Sequence, residues 1–253
     1  MSRPTRQRIL ITGASAGLGA EMARQFAADG RDLALCARRV DRLETLRDEL
    51  TAANPSITVA IRPLDVNDND AVFTVFHQLA DELGGLDRVI VNAGLGKGAK
   101  LGTGKFYANR ETAMTNFVAA LAQCEAALEI FRPAGAGHLV VISSMSAVRG
   151  LPGALATYSA SKAAIATLAD GLRVEFRSSP ITVTTLYPGY IRSEMSSRAE
   201  QSTPLMSSTE HGVRSMVAAI EREVSASAVP PWPWKPLGVL LRHAPASLVR
   251  RFA

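Results

Sequence analysis

Cysteine is nearly absent: the 253 residues contain two, Cys36 and Cys124, one in an apolar run that reads as a strand and one in an Ala-rich run that reads as a helix. A disulfide framework is therefore not expected, and both thiols are read as reduced core residues. With four histidines and no Cys/His cluster at metal-ligand spacing, no metal centre is expected either. Aromatics make up only 6% of the chain, and no apolar stretch is long enough to span a bilayer. Residues 1–8 are basic, but the apolar run that follows is too short for a secretory signal, so a cytoplasmic location is the expectation. Acid is missing from both ends. Residues 1–20 carry Arg3, Arg6 and Arg8, and residues 224–253 carry Lys235, Arg242, Arg250 and Arg251, with no carboxylate in either stretch. These charges exceed the formal net charge of +5, so the body between them is slightly acidic, which argues against a nucleic-acid-binding face.

What is present suits one sizeable core. A hydrophobic content of 47% over this length supports a single domain, read as a catalytic body over 1–229 with 230–253 as a basic amphipathic extension of the same domain. Strand signals near 8–12, 32–37, 57–62, 87–92, 138–143 and 181–187 alternate with helix signals near 18–28, 41–52, 69–83, 109–131 and 157–177. That alternation is the pattern of an α/β doubly wound parallel sheet in three layers. Asp41 followed three residues later by Glu44 fits a capping box.

Two segments carry chemistry. In Tyr158-Ser-Ala-Ser-Lys162 the four-residue spacing puts a phenol and an ammonium on one helical face. A phenol with a pKa of about 10 is a poor acid or base near neutrality, and a cation beside it corrects that. At roughly 4 Å and an effective dielectric of about 20 the attraction is about 4 kcal/mol, roughly three pKa units toward the phenolate. An exposed helix also carries such pairs by chance. The preceding strand, 138–144 (His-Leu-Val-Val-Ile-Ser-Ser), could deliver Ser144 to the same pocket; Ser143 alternates to the other strand face, and Ser146 lies beyond the strand. At the N-terminus, Arg8–Thr12 runs into Gly13-Ala-Ser-Ala-Gly17-Leu-Gly19 and then a helix. Strand, glycine turn and helix make a phosphate cradle, because glycines admit close backbone approach and the helix dipole favours an anion.

Thr12-Gly13-x3-Gly17-x-Gly19, Asn92-Ala93-Gly94, Ser144, Tyr158-x3-Lys162 and Pro188-Gly189, in this order and over nearly the whole chain, resemble the short-chain dehydrogenase/reductase family. The resemblance implies a Rossmann-type oxidoreductase that uses a nicotinamide cofactor without a metal and assembles as a homodimer or homotetramer. It assigns Asn116, Ser144, Tyr158 and Lys162 as the catalytic set. Tyr158 would transfer the proton, Ser144 stabilise the reacting oxygen, and Lys162 tune Tyr158 while bonding the nicotinamide ribose. Asn116 would bend its helix and hold a water against Lys162. Gly13, Ser15, Gly17, Leu18 and Gly19 would meet the pyrophosphate, Asp65 and Val66 the adenine, and Asn92, Ala93 and Gly94 the nucleotide. Pro188, Gly189, Ile191 and Ser193 would clamp the nicotinamide, Ser193 standing where a Thr is more usual. Ser144 precedes Tyr158 by one residue more than the family's usual interval.

Cofactor choice is read from the end of the second strand, Cys36-Ala37-Arg38-Arg39, where an NAD-preferring site places a carboxylate on the ribose hydroxyls. Here a guanidinium can take a 2′-phosphate instead, so NADP(H) is favoured over NAD(H), with Arg38 the first contact and Arg39 stacking or solvated. The expected reaction interconverts a carbonyl and a secondary alcohol on a small molecule, either apolar or a 3-oxoacyl thioester. Lys97, Lys100 and Lys105 lie in a loop over 96–107 that could meet a phosphate or simply be solvated. Residues 194–210 read as a flexible lid. Residues 235–252 mix apolar and basic side chains and could dock on protein, roof the pocket or lie on an anionic membrane. A cofactor-binding sensor or scaffold without turnover, or a peripheral membrane protein acting through its tail, are the competing functions.

Overall fold

The computed structural model describes residues 5–194 and 205–249, Leu248 by its backbone alone. Among the described residues, seven parallel strands form one sheet in the order β3-β2-β1-β4-β5-β6-β7. They are β1 (Arg8–Thr12), β2 (Asp32–Ala37), β3 (Val59–Pro63), β4 (Arg88–Val91), β5 (Gly137–Ile142), β6 (Ile181–Pro188) and β7 (Ala226–Val229). The order reverses between β1 and β4, so the glycine turn after β1 and Asn92-Ala93-Gly94 after β4 flank the crevice where such sheets bind ligands.

The strands read as continuous apolar runs because helices cover both faces. Alternation along β1 sends Ile9 and Ile11 to one face and Leu10 to the other. On the first face pack α1 (Gly17–Ala28), α2 (Val40–Ala53) and α7 (Thr209–Glu221), through Met22, Phe26, Leu43, Leu46, Met216 and Ile220. On the second pack α3 (Asn69–Leu83), α5 (Ala119–Ala134) and α6 (Ala156–Glu175), through Phe76, Leu79, Phe131 and Ile165. Cys36 and Cys124 are free thiols buried in the core, which pushes both up to about 12.

The helix expected near 109–131 is three pieces: α4 (Phe106–Ala113), a π turn (Met114–Val118) and α5. The expected capping box is absent. Arg39, not Asp41, occupies the N-cap of α2, and Asp41 lies in the first turn, where its charge still complements the dipole. The strand pattern ends at β6, yet β7 pairs with it from Thr185↔Ala226 to Pro188↔Val229. Ala226–Val229 is a short run of small residues, too weak to read as a strand. Residues 195–204 of the expected lid lie outside the described residues; beyond them, Ser207 pairs with Ile191 and α7 begins at Thr209.

The C-terminal stretch docks on the body. In α8 (Pro231–His243), Trp234 and Gly238 are buried, as are Ala244 and Val249 beyond it, Val249 ending the short α9 (Ala246–Val249). Residues 250–252 of the expected amphipathic tail lie outside the described residues. No described helix is long and apolar enough to cross a membrane.

Candidate active site

At the carboxyl end of β5 the chain leaves the sheet with Ser143 and Ser144. Ser143 turns away and donates to the Lys162 carbonyl at 2.8 Å, as strand alternation requires. Ser144 caps the turn Met145–Ala147, its Oγ accepting from the Ser146 N–H (3.2 Å) and hydroxyl (2.9 Å). The Ser144 hydroxyl lies beside the Tyr158 phenol and favours its ionised form. Of the three serines, Ser144 is the one beside Tyr158, and Ser146 bonds Ser144 from the turn.

Lys162 lies one turn beyond Tyr158 on α6, 6% exposed, with Nζ donating to the Ile142 carbonyl at 2.9 Å. Burial brings its ammonium down to about 8. Burial also pushes the Tyr158 phenol up, opposed by the Ser144 hydroxyl, with neighbouring Tyr190 adding a smaller upward push. The expected fall of the phenol toward neutrality is thus not found. The one-turn spacing is right, but Lys162 is turned onto Ile142, and desolvation is the largest influence on the phenol.

Asn116 sits in the π turn, 1% exposed. Its Oδ1 accepts from the Leu95 N–H at 2.7 Å, and its Nδ2 donates to the Leu95 carbonyl (2.9 Å) and Ser161 Oγ (3.2 Å). A Cβ on Gly94 would lie 3.3 Å from both Asn116 Oδ1 and Lys162 Nζ, so Gly94, Asn116 and Lys162 meet at one point.

Strand β1, the glycine turn and helix α1 follow one another as the sequence suggests. Gly17 has φ +55, and a Cβ there would face Ser193 at 3.4 Å; at Gly19 it would strike the Gly13 carbonyl at 2.5 Å. The N-cap of α1, Ala16, has no side-chain acceptor, and the first turn carries no acid, so the positive end of the dipole is not neutralised within the helix. These features fit a dinucleotide pyrophosphate. Leu18 lies in the first turn of α1. Thr12, quoted in the motif but given no role, ties the two halves together. Its Oγ accepts from the N–H groups of Asn92 and Ala93 at 3.0 Å each, and Asn92 Nδ2 donates to the Thr12 carbonyl at 2.9 Å.

At the rim, Arg38 is exposed, whereas Arg39 neither stacks nor stands free. It donates to Ser15 Oγ at 3.3 Å and to Glu194 at 3.0 Å. Asp65 and Val66 follow β3 in a turn rather than closing the strand, Asp65 accepting from Asn67 and Val66 buried. Lys97 pairs with Glu111 at 2.7 Å, and Lys100 and Lys105 are exposed.

Pro188 is the last residue of β6, and the Gly189 N–H bonds the Val229 carbonyl at 3.0 Å. Gly189 serves packing: a Cβ there would fall 2.0 Å from the Trp234 indole. Trp234 meets Tyr190 edge-on at 5.4 Å, and a Cβ on Gly238 would touch Met145 at 2.7 Å. Met145, next to Ser144, and Tyr190, beside Tyr158, thus both pack against α8, through Gly238 and Trp234. Motif reading missed them because their proximity arises from the docking of α8.

Fold and cluster define the class, a doubly wound α/β protein with a hydroxyl, a phenol and an ammonium at the carboxyl edge of its sheet. The chain matches the short chain dehydrogenase family model over residues 7–204. It is 58% identical over 249 residues to an uncharacterized oxidoreductase of Mycobacterium tuberculosis, covering 98% of both chains. An alcohol dehydrogenase from the archaeon Thermococcus sibiricus, complexed with 5-hydroxy-NADP, superposes with a TM-score of 0.76 at 26% identity, covering 88% of this chain and 94% of that one. A Burkholderia phymatum short chain dehydrogenase/reductase in complex with NAD gives 0.85 at 21% identity over 99% and 97%, a likeness of fold. The chain belongs to the short-chain dehydrogenase/reductase family of oxidoreductases.

Proposed function

We propose that the protein is an NADP(H)-dependent reductase interconverting a carbonyl and a secondary alcohol. The observation that carries this reading is Ser144 beside the Tyr158 phenol, with Lys162 buried one turn away. Gly13, Gly17, Gly19, Asn92 and the segment 188–193 would hold the cofactor, which when bound would supply or accept the hydride. Tyr158 is the proton donor to the carbonyl oxygen, and its raised pKa keeps it protonated at neutral pH, which suits reduction. Ser144 holds that oxygen through its hydroxyl proton, since its lone pairs already accept from Ser146. Lys162 supplies positive charge beneath the phenol, and Asn116 fixes the 94–95 backbone against it.

NADP(H) is favoured by Arg38 and Arg39 at the end of β2, where no carboxylate follows the strand. Met145 and Tyr190, beside Ser144 and Tyr158, favour an apolar substrate, the acyl chain of a 3-oxoacyl thioester included. Assembly into a homo-oligomer is supported by Phe106, Tyr107, Met114 and Val174, which α4, the π turn and α6 leave exposed. The intact catalytic set opposes a sensor without turnover. The test is oxidation of NADPH and NADH against ketones, aldehydes and 3-oxoacyl thioesters. Turnover with NADPH well above NADH is expected; turnover with NADH alone contradicts the cofactor assignment.

A further inference from the structure

Helix α8 has two faces that differ in what covers them. Trp234 and Gly238 on the inner face lie against Gly189 and Met145 of the body. The opposite face carries Pro236, Val239 and Leu240 at i, i+3 and i+4, and all three are exposed, Val239 by 61% and Leu240 by 55%. Trp232, extended just before the regular helix (φ −104, ψ 133), is 79% exposed, more than any other large apolar side chain among the described residues. Lys235 and Arg242, seven residues apart, run along one edge of this face, and Arg149 joins them by donating to the Arg242 carbonyl at 3.0 Å. Helix α8 has no carboxylate, nor have the segments it packs on, 143–157, 187–193 and 226–229. Asp170, whose charge acts with that of Arg242 on Tyr187, is already paired with Arg173 at 2.5 Å. The result is an apolar strip with a basic edge and no acid beside it.

We propose that this face of α8, together with Trp232, docks the protein on the surface of an anionic phospholipid bilayer. The contact is peripheral, as no described helix is long and apolar enough to cross a membrane. An interfacial helix sinks its apolar strip to the headgroup boundary, and an exposed Trp beside it sits at the level where an amphipathic ring is most stable. Lys235, Arg242 and Arg149 lie at the rim, where each cation near an anionic surface strengthens attachment roughly fivefold. Trp234 and Gly238 already hold the helix on the body, so attachment bears little ordering cost. Anionic lipid fits this face better than a second copy of the chain, which in a two-fold contact would set the same cations against each other with no carboxylate to meet them. The exposed residues of α4, the π turn and α6 named above for assembly are a separate set. Attachment of this kind does not depend on the reductase chemistry.

The test is co-sedimentation of the full chain with phosphatidylcholine vesicles, with and without phosphatidylglycerol, for wild type, the double variant Lys235→Gln with Arg242→Gln, and Leu240→Ser. The chain has two tryptophans and Trp234 is already buried, so a blue shift of emission on adding vesicles reports Trp232. Wild type is expected to pellet and shift with the phosphatidylglycerol vesicles, to stay in solution with phosphatidylcholine alone, and to attach more weakly at high salt. The double variant should weaken attachment roughly 10- to 25-fold and Leu240→Ser roughly fivefold, both keeping the wild-type unfolding midpoint because the replaced side chains are exposed. Pelleting that phosphatidylglycerol does not increase, equal attachment of all three proteins, or attachment without a shift of emission overturns the proposal. Self-association that Leu240→Ser abolishes, with no vesicle binding, gives the face to a second copy and likewise overturns it.

Discussion

Lys162 shows how far residue identity alone carries the chemistry. The Tyr158-x3-Lys162 spacing and the candidacy of Ser144 are legible in the chain, because a helix turn and strand alternation fix which side chains share a face. The titration is not, because it depends on what the fold packs around each group. Burial lowers the ammonium from 10.5 to about 8 and raises the phenol. The sign follows: Lys162 is charged below about pH 8 and neutral above it, while Tyr158 stays protonated throughout the neutral range. For carbonyl reduction, kcat/KM, which reports the free enzyme, should therefore be level near neutrality and fall as pH rises through about 8. A profile flat to pH 10 would contradict the assignment of the cation.

At the scale of elements, most of the sheet and its helices can be read from apolar periodicity, but two kinds of element cannot. The π turn at Met114–Val118 follows from no periodic pattern; it accompanies Asn116, whose amide bonds the Leu95 backbone on both sides. Strand β7 and helix α8 gain their structure from docking, since Ala226–Val229 offers small residues and α8 begins in Pro231, Trp232 and Pro233. Gly189 shows what that docking requires. Replacing it by Ala forces a methyl into the Trp234 indole, so Gly189→Ala should cost about 1–3 kcal/mol of stability in denaturant unfolding. It should also raise KM for an apolar substrate, because Trp234 supports Tyr190 beside Tyr158. An unchanged unfolding midpoint would show that α8 does not pack on Gly189.

Across the whole molecule, the two ends of the sheet are built differently. The carboxyl end carries the site, while the amino end holds a buried ionic group. Arg88, 1% exposed, donates to His138 Nδ1 at 2.9 Å and to Glu221 at 2.7 Å, and Arg6 pairs with Glu223 at 2.8 Å. These contacts join β4 and β5 to the region around β7. Since Arg88 donates to Nδ1, His138 is the tautomer carrying its proton on Nε2, which faces Thr184 Oγ1 at 2.9 Å. Arg88→Ala empties a fully buried side chain and takes the donor from His138 Nδ1, so it should lose about 2–5 kcal/mol of stability while leaving NADPH affinity unchanged, measured by denaturant unfolding beside cofactor titration. Loss of cofactor affinity at constant stability would reverse that assignment of roles.

The central claim is that the cluster at the carboxyl end transfers a proton through Tyr158. Removing the phenol oxygen alone tests it most directly, by single-turnover oxidation of bound NADPH with a ketone that the wild type reduces. Tyr158→Phe should bind NADPH as the wild type does and lose at least about 100-fold in the rate of NADPH oxidation, the usual contribution of a positioned proton donor. Oxidation at near-wild-type rate in Tyr158→Phe would contradict the account.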